Sequence, residues 1–145
     1  LKKFLSDPNA GKLWEIDVPA IVDNEPAIPH NYWVRGLLGE LSIFKKVYKK
    51  AGYIHAPTAA GYDFTGPKWV QIKTLKNPDG AFGAMKKAVD KLIFESPVDK
   101  PLKLHILKKP GSSSSGLQQS LQDYINTLAA KDRFELVIEE FELAL

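Results

Sequence analysis

The feature that most limits how this chain can fold is a change of period along it. From about Tyr32 to Lys50, Trp33, Val34, Leu37, Leu38, Leu41, Phe44 and Tyr48 recur at three- and four-residue steps, the spacing of one helix face, and Gly52 offers a stop. Beyond it the period falls to two. Three short runs, Tyr53 to His55, Tyr62 to Thr65 and Trp69 to Leu75, are separated by Pro57 with Gly61 and by Gly66-Pro67, which reads as a strand and then a tight hairpin. Asn77 to Gly80 is a turn, and a second helix from Ala81 to Ile93 carries Phe82, Met85, Val89 and Leu92 on one face. A strand from Leu102 to Lys108 follows. Ser112 to Ser115 read as the cap of a third helix bearing Leu117, Leu121, Tyr124, Ile125 and Leu128, before a last strand from Phe134 to Glu139. Two strand–helix–strand crossovers close the chain, so the order predicts an α/β fold: a mixed sheet with helices on both faces.

Ahead of this lies a stretch, residues 1–31, broken by Pro8, Pro19, Pro26 and Pro29, which reads as an irregular arm to a domain over 32–145. The length of 145 residues suits one domain, and no apolar run approaches the roughly 18–20 residues that a membrane span needs. No leader is visible, and a first residue of Leu suggests a piece of a longer polypeptide. Without cysteine, disulfides, thiolate metal sites and thiol nucleophiles are excluded, so any metal must sit on oxygen or imidazole. The net charge is only +3, yet Lys45, Lys46, Lys49 and Lys50 cluster, as do Lys100, Lys103, Lys108 and Lys109. Such patches can steer a polyanion; a solvated lysine face is the plainer reading.

The chemistry concentrates on the third strand. Alternation turns Gln71 and Lys73 to one face and Val70 and Ile72 to the other. Asp63, between Tyr62 and Phe64, lies on the strand joined to it by a short connection, so a carboxylate, an amide oxygen and an ammonium are expected to meet on one polar face. Phosphodiester cleavage uses that inventory: oxygen ligands hold a divalent cation that polarises the phosphoryl group, and a lysine orients water or neutralises charge. Glu40 falls on the border of the buried stripe of the first helix, beside Trp33, Phe44 and Val47, with Gly36 one turn earlier leaving space. A carboxylate leaning toward a core needs a partner, either a metal or Lys73.

These residues in this order resemble the PD-(D/E)XK restriction-endonuclease-like superfamily, whose core is a helix, three strands, a helix and a strand. More narrowly, Tyr62-Asp63-Phe64, Trp69 to Leu75, the strand ending in Lys109-Pro110-Gly111 and the closing Phe134 to Phe141 look like the C-terminal nuclease toxins of contact-dependent growth inhibition and related polymorphic toxin systems. The resemblance spans roughly Trp33 to Phe141. It implies metal binding by Glu40, Asp63 and Gln71, catalysis by Lys73 and a Mg²⁺ or Mn²⁺ cofactor. Lys45, Lys49, Lys50 and Lys108 are candidates to hold a nucleic-acid backbone. It further implies a tRNA or DNA substrate, a cognate immunity protein, and delivery from a secreted or cell-surface bacterial protein into the cytoplasm of a target cell. Gln71 stands where the superfamily usually has Asp or Glu. The second expectation is therefore a module that keeps the fold and binds nucleic acid or protein without cutting.

Other candidates carry less. His30, His55 and His105 show no metal-ligand spacing, although His55 lies between the first helix and the Asp63 strand and is placed to touch substrate. Ser112 to Ser115 lack a nucleophile-elbow context, and Gly80 to Gly83 lack the Lys-Ser/Thr of a phosphate loop. Trp14, Trp33, Trp69, Tyr53 and Tyr62 are possible base-stacking surfaces, with Trp33 better read as core and the two tyrosines left open.

Overall fold

The computed structural model describes Trp14, residues 31–56 and residues 59–142, with 31–34 described by backbone alone. The expected arm over 1–31 lies outside the described residues except for Trp14 and Asn31. Helix α1 (Asn31–Ile43) passes into a five-residue π turn (Phe44–Tyr48), then come β1 (Ile54–His55), β2 (Phe64–Thr65), β3 (Trp69–Leu75), α2 (Phe82–Glu95), β4 (Leu102–Lys108), α3 (Ser115–Asn126) and β5 (Phe134–Glu140). This is the helix, three-strand, helix, strand, helix, strand order read from the period changes.

The five strands form one mixed sheet in the order β1-β2-β3-β4-β5, antiparallel from β1 to β3 and parallel from β3 to β5. Each crossover helix, α2 and α3, links parallel neighbours, as a right-twisted sheet favours. Helices cover both faces. On one, Leu38 and Ile43 of α1 and Tyr48 of the π turn pack with Phe64, Val70, Ile72 and Leu107. On the other, Met85, Val89 and Leu92 of α2 and Leu117, Leu121 and Ile125 of α3 pack on Leu102, Leu104 and Ile106. The central strand β4 is therefore buried on both sides, which its continuous apolar run anticipates.

Three local readings change. The first helix does not run as an α-helix to Lys50: its last part widens to π, with the Lys49 N–H bonded to Phe44 O, and this accompanies the seating of Tyr48, 2% exposed, against His105. Gly52 follows with φ +84°, the left-handed position expected after a helix end. The hairpin strands are shorter than expected because their tyrosines leave the ladder to pack. Tyr53 lies edge-on to Tyr48 at 5.0 Å, and Tyr62 lies on Trp69 at 4.2 Å between ring centres.

The third change concerns the cap of α3. Ser114 makes no side-chain cap bond; instead Asp79, from the turn before α2, accepts from Leu117 N at 2.9 Å and from Ser113 Oγ at 2.6 Å. A carboxylate satisfies the orphan N–H and faces the positive helix end better than a hydroxyl does.

Candidate functional site at the edge of strand β3

Strand β2 pairs with only the first two residues of β3, Phe64 with Val70 and Thr65 with Trp69. One residue before β2, Asp63 still donates its N–H to Val70 O at 2.7 Å, and its side chain continues where the backbone ladder stops: Oδ2 accepts the N–H of Ile72 at 2.8 Å. The Asp63 carboxyl thus lies along the edge of β3 rather than on a sheet face, which corrects the expectation of a single polar face.

Glu40 reaches the same point from α1. A Cβ at Gly39 would lie 2.2 Å from Thr74 Oγ1, so only glycine permits α1 to come this close to β3. Gly36, expected to make room for Glu40, has nothing within 4 Å of where its Cβ would be; the glycine that sets the approach is Gly39. The half-buried Glu40 places Oε2 at 2.6 Å from His55 Nε2 and also lies against the Asp63 carboxyl. Burial first, and then the hydrogen bond and charge of Glu40, push the Asp63 carboxyl up to about 8; the Ile72 N–H and the charge of Lys73 act against this. At neutral pH one proton or one cation is therefore called for between two carboxylates.

Gln71 and Lys73 share a face as alternation requires, but it is the face opposite α1, where their parallel partners are Leu104 and Ile106. Gln71 is 9% exposed and donates Nε2 to the carbonyl of Ile72 at 3.2 Å. Lys73 is half-buried, and its charge reaches Asp63. The four expected residues accordingly divide: Glu40 and Asp63 meet, Lys73 stands beside them electrostatically, and Gln71 is turned into the other core. Lys45, Lys49 and Lys50 are exposed on and after the π turn, and Lys108 donates to Ser112 O at 2.6 Å.

His55 is the added member. Its ring lies 5.5 Å from Phe44 and 5.6 Å from Phe64, and it pairs with Phe64 in the β1–β2 ladder, next to Asp63. The sequence signal was its position between the helix and the Asp63 strand; its bond to Glu40 was not readable. Sequence reasoning also missed a buried chain on the α1 face, in which His105 Nδ1 is 2.7 Å from Tyr48 Oη and Nε2 is 2.7 Å from Glu139 Oε1.

Comparisons with protein-family models, with curated proteins and with solved structures found no match. The site's chemistry must then be argued from its own residues. Among the described residues no group of three or more His, Cys, Asp or Glu side chains is placed to hold a metal ion. Two carboxylates at one point still suit Mg²⁺, which keeps several waters and is commonly held by one or two carboxylates together with substrate phosphate.

Proposed function

We propose that this chain is a metal-dependent nuclease of the restriction-endonuclease-like type, cutting tRNA or DNA. The observation that carries the reading is the meeting of Glu40 and Asp63 at the uncovered edge of β3, with the charge of Lys73 alongside. The element order and the antiparallel-then-parallel sheet agree with the helix, three-strand, helix, strand core of that superfamily.

Glu40 and Asp63 are the residues that would hold Mg²⁺ or Mn²⁺. When bound, such an ion supplies charge to a phosphoryl oxygen and lowers the pKa of a coordinated water. The protein's own groups supply position and charge. The Ile72 N–H fixes one oxygen of Asp63, leaving the other for a ligand. His55 fixes Glu40, and Lys73 offers an ammonium to the phosphate or to the attacking water. The toxin resemblance adds delivery into a target cell and neutralisation by an immunity protein, whose acidic surface would complement exposed lysines such as Lys45, Lys49 and Lys50.

Incubation with total tRNA and with plasmid DNA, with and without chelator, tests this. The wild type is expected to cleave at least one substrate with Mg²⁺ or Mn²⁺, and Asp63→Ala and Lys73→Ala to cut at least ~100-fold more slowly. A wild type that cuts neither under any of these conditions sinks the proposal. The side chain of Gln71, spent on its neighbour's carbonyl, favours the second reading of a binding module on the same fold. That reading predicts nucleic-acid or protein binding indifferent to chelator, and any chelator-sensitive cleavage ends it.

A further inference from the structure

Past the carboxyl ends of β3 and β4 the structure holds a cavity of about 430 Å³, lined by Lys76, Asn77, Lys109, Pro110, Gly111 and Ser112. The parallel register that pairs Leu75 with Lys108, continued by the bond from Lys109 N to Leu75 O, sets Lys76 and Lys109 side by side. Two ammonium groups at one mouth form an anion site, and the carboxyl ends of parallel strands are where open α/β sheets bind ligands. The loop is held in shape from within: Lys108 Nζ donates to Ser112 O at 2.6 Å, and Ser112 Oγ donates to Lys109 O at 2.6 Å. The two nearest carboxylates are engaged elsewhere. Glu140 accepts from Gly111 N at 3.0 Å, and Asp79 accepts from Ser113 and Leu117.

Lys76 stands three residues beyond Lys73 on the same chain, about 10 Å at the rise of an extended strand. The cavity exceeds by about tenfold the ~30 Å³ share of one water, so it admits sugar or base together with a phosphate, with the Asn77 amide available to them. We propose that this pocket holds a backbone phosphate of a polynucleotide strand next to the one presented at Lys73. This rests on the nuclease reading for what happens at Lys73, but not for the binding itself.

The test measures anisotropy of short labelled single-stranded DNA and RNA oligonucleotides in chelator, where cutting is suppressed, across salt concentration. Lys76→Gln/Lys109→Gln is expected to weaken binding about tenfold and to lower the salt slope by about 1.4, two phosphate contacts at ~0.7 each on a single strand. Lys86→Gln/Lys87→Gln, on the exposed side of α2, serves as the control and keeps wild-type binding. Wild-type affinity and slope in the pocket variant overturn the proposal, as does a wild type that binds neither oligonucleotide. A mononucleotide that competes as well as the oligonucleotide overturns it too, since the pocket then takes free nucleotides. Cleavage, followed separately with Mg²⁺, keeps the two readings apart. Cutting that survives with binding unchanged in the pocket variant removes the pocket alone, whereas weakened binding with no wild-type cutting removes the nuclease alone.

Discussion

At Gly39 a single missing methyl group decides where a catalytic carboxylate stands. With a Cβ there, Thr74 Oγ1 would be 2.2 Å away, and α1 would have to lift from β3. Gly39→Ala is expected to destabilise by about 1–3 kcal/mol, the range for overpacking a tight contact. Thr74→Ala in the same chain should recover much of that loss, since it removes the oxygen and the Cγ2 that the new methyl meets. Urea denaturation of both single variants and the double variant measures the coupling; strictly additive changes would show that the contact is not the cause. Asp63, Gln71 and Lys73 were legible as chemistry because polar side chains stood among apolar neighbours. Their division was not. Alternation says which residues of β3 share a face but not which helix lies over it, and the bond from Asp63 to Ile72 N depends on β2 ending after two residues.

Among the elements, those with a one-sided period were readable nearly to the residue. The strand from Leu102 to Lys108 stands as read, and α2 is shifted by only one or two residues from Ala81 to Ile93. Elements shaped by a distant partner were not: the π turn follows from Tyr48 meeting His105, and the cap of α3 comes from Asp79 in another loop. Asp79 ties the start of α2 to the start of α3, and its bonds to Ser113 and to Leu117 N hold its carboxyl below the usual range. The sign follows: a depressed folded value gives stability that is present at neutral pH and lost as pH falls through the carboxylate range. Asp79→Ala is expected to lower Tm at pH 7 by more than Ser114→Ala does, with the difference shrinking toward pH 3. Calorimetry of the two variants checks it, and an equal or larger loss in Ser114→Ala returns the cap to the serine run.

Seen whole, the molecule is a sheet with one apolar core on each side and a charged centre where α1, β2 and β3 meet. Among the described residues no helix is long and apolar enough to cross a membrane. The raised Asp63 value makes the charged centre visible in global stability. Its folded value of about 8 exceeds an unfolded value near 3.8, so the folded state holds the extra proton; stability intact below the unfolded value declines as pH rises through the folded one. In chelator, the Tm of the wild type relative to Asp63→Asn is expected to fall between pH 5 and pH 8. On the nuclease reading, Mg²⁺ should raise wild-type Tm more at pH 8 than at pH 5, because the ion replaces the proton. A difference flat with pH would show that Asp63 ionises without hindrance. Away from this centre, the chain from Tyr48 through His105 to Glu139 fixes a hydrogen that diffraction seldom sees. Burial lowers the His105 value and keeps the ring neutral, and an ionised Glu139 only accepts, so Nε2 carries the hydrogen while Nδ1 takes that of Tyr48. One tautomer locked under α1 gives the ring distinct nitrogen resonances and a slowly exchanging Nε2 proton, a built-in reporter of whether the π turn is seated on the sheet.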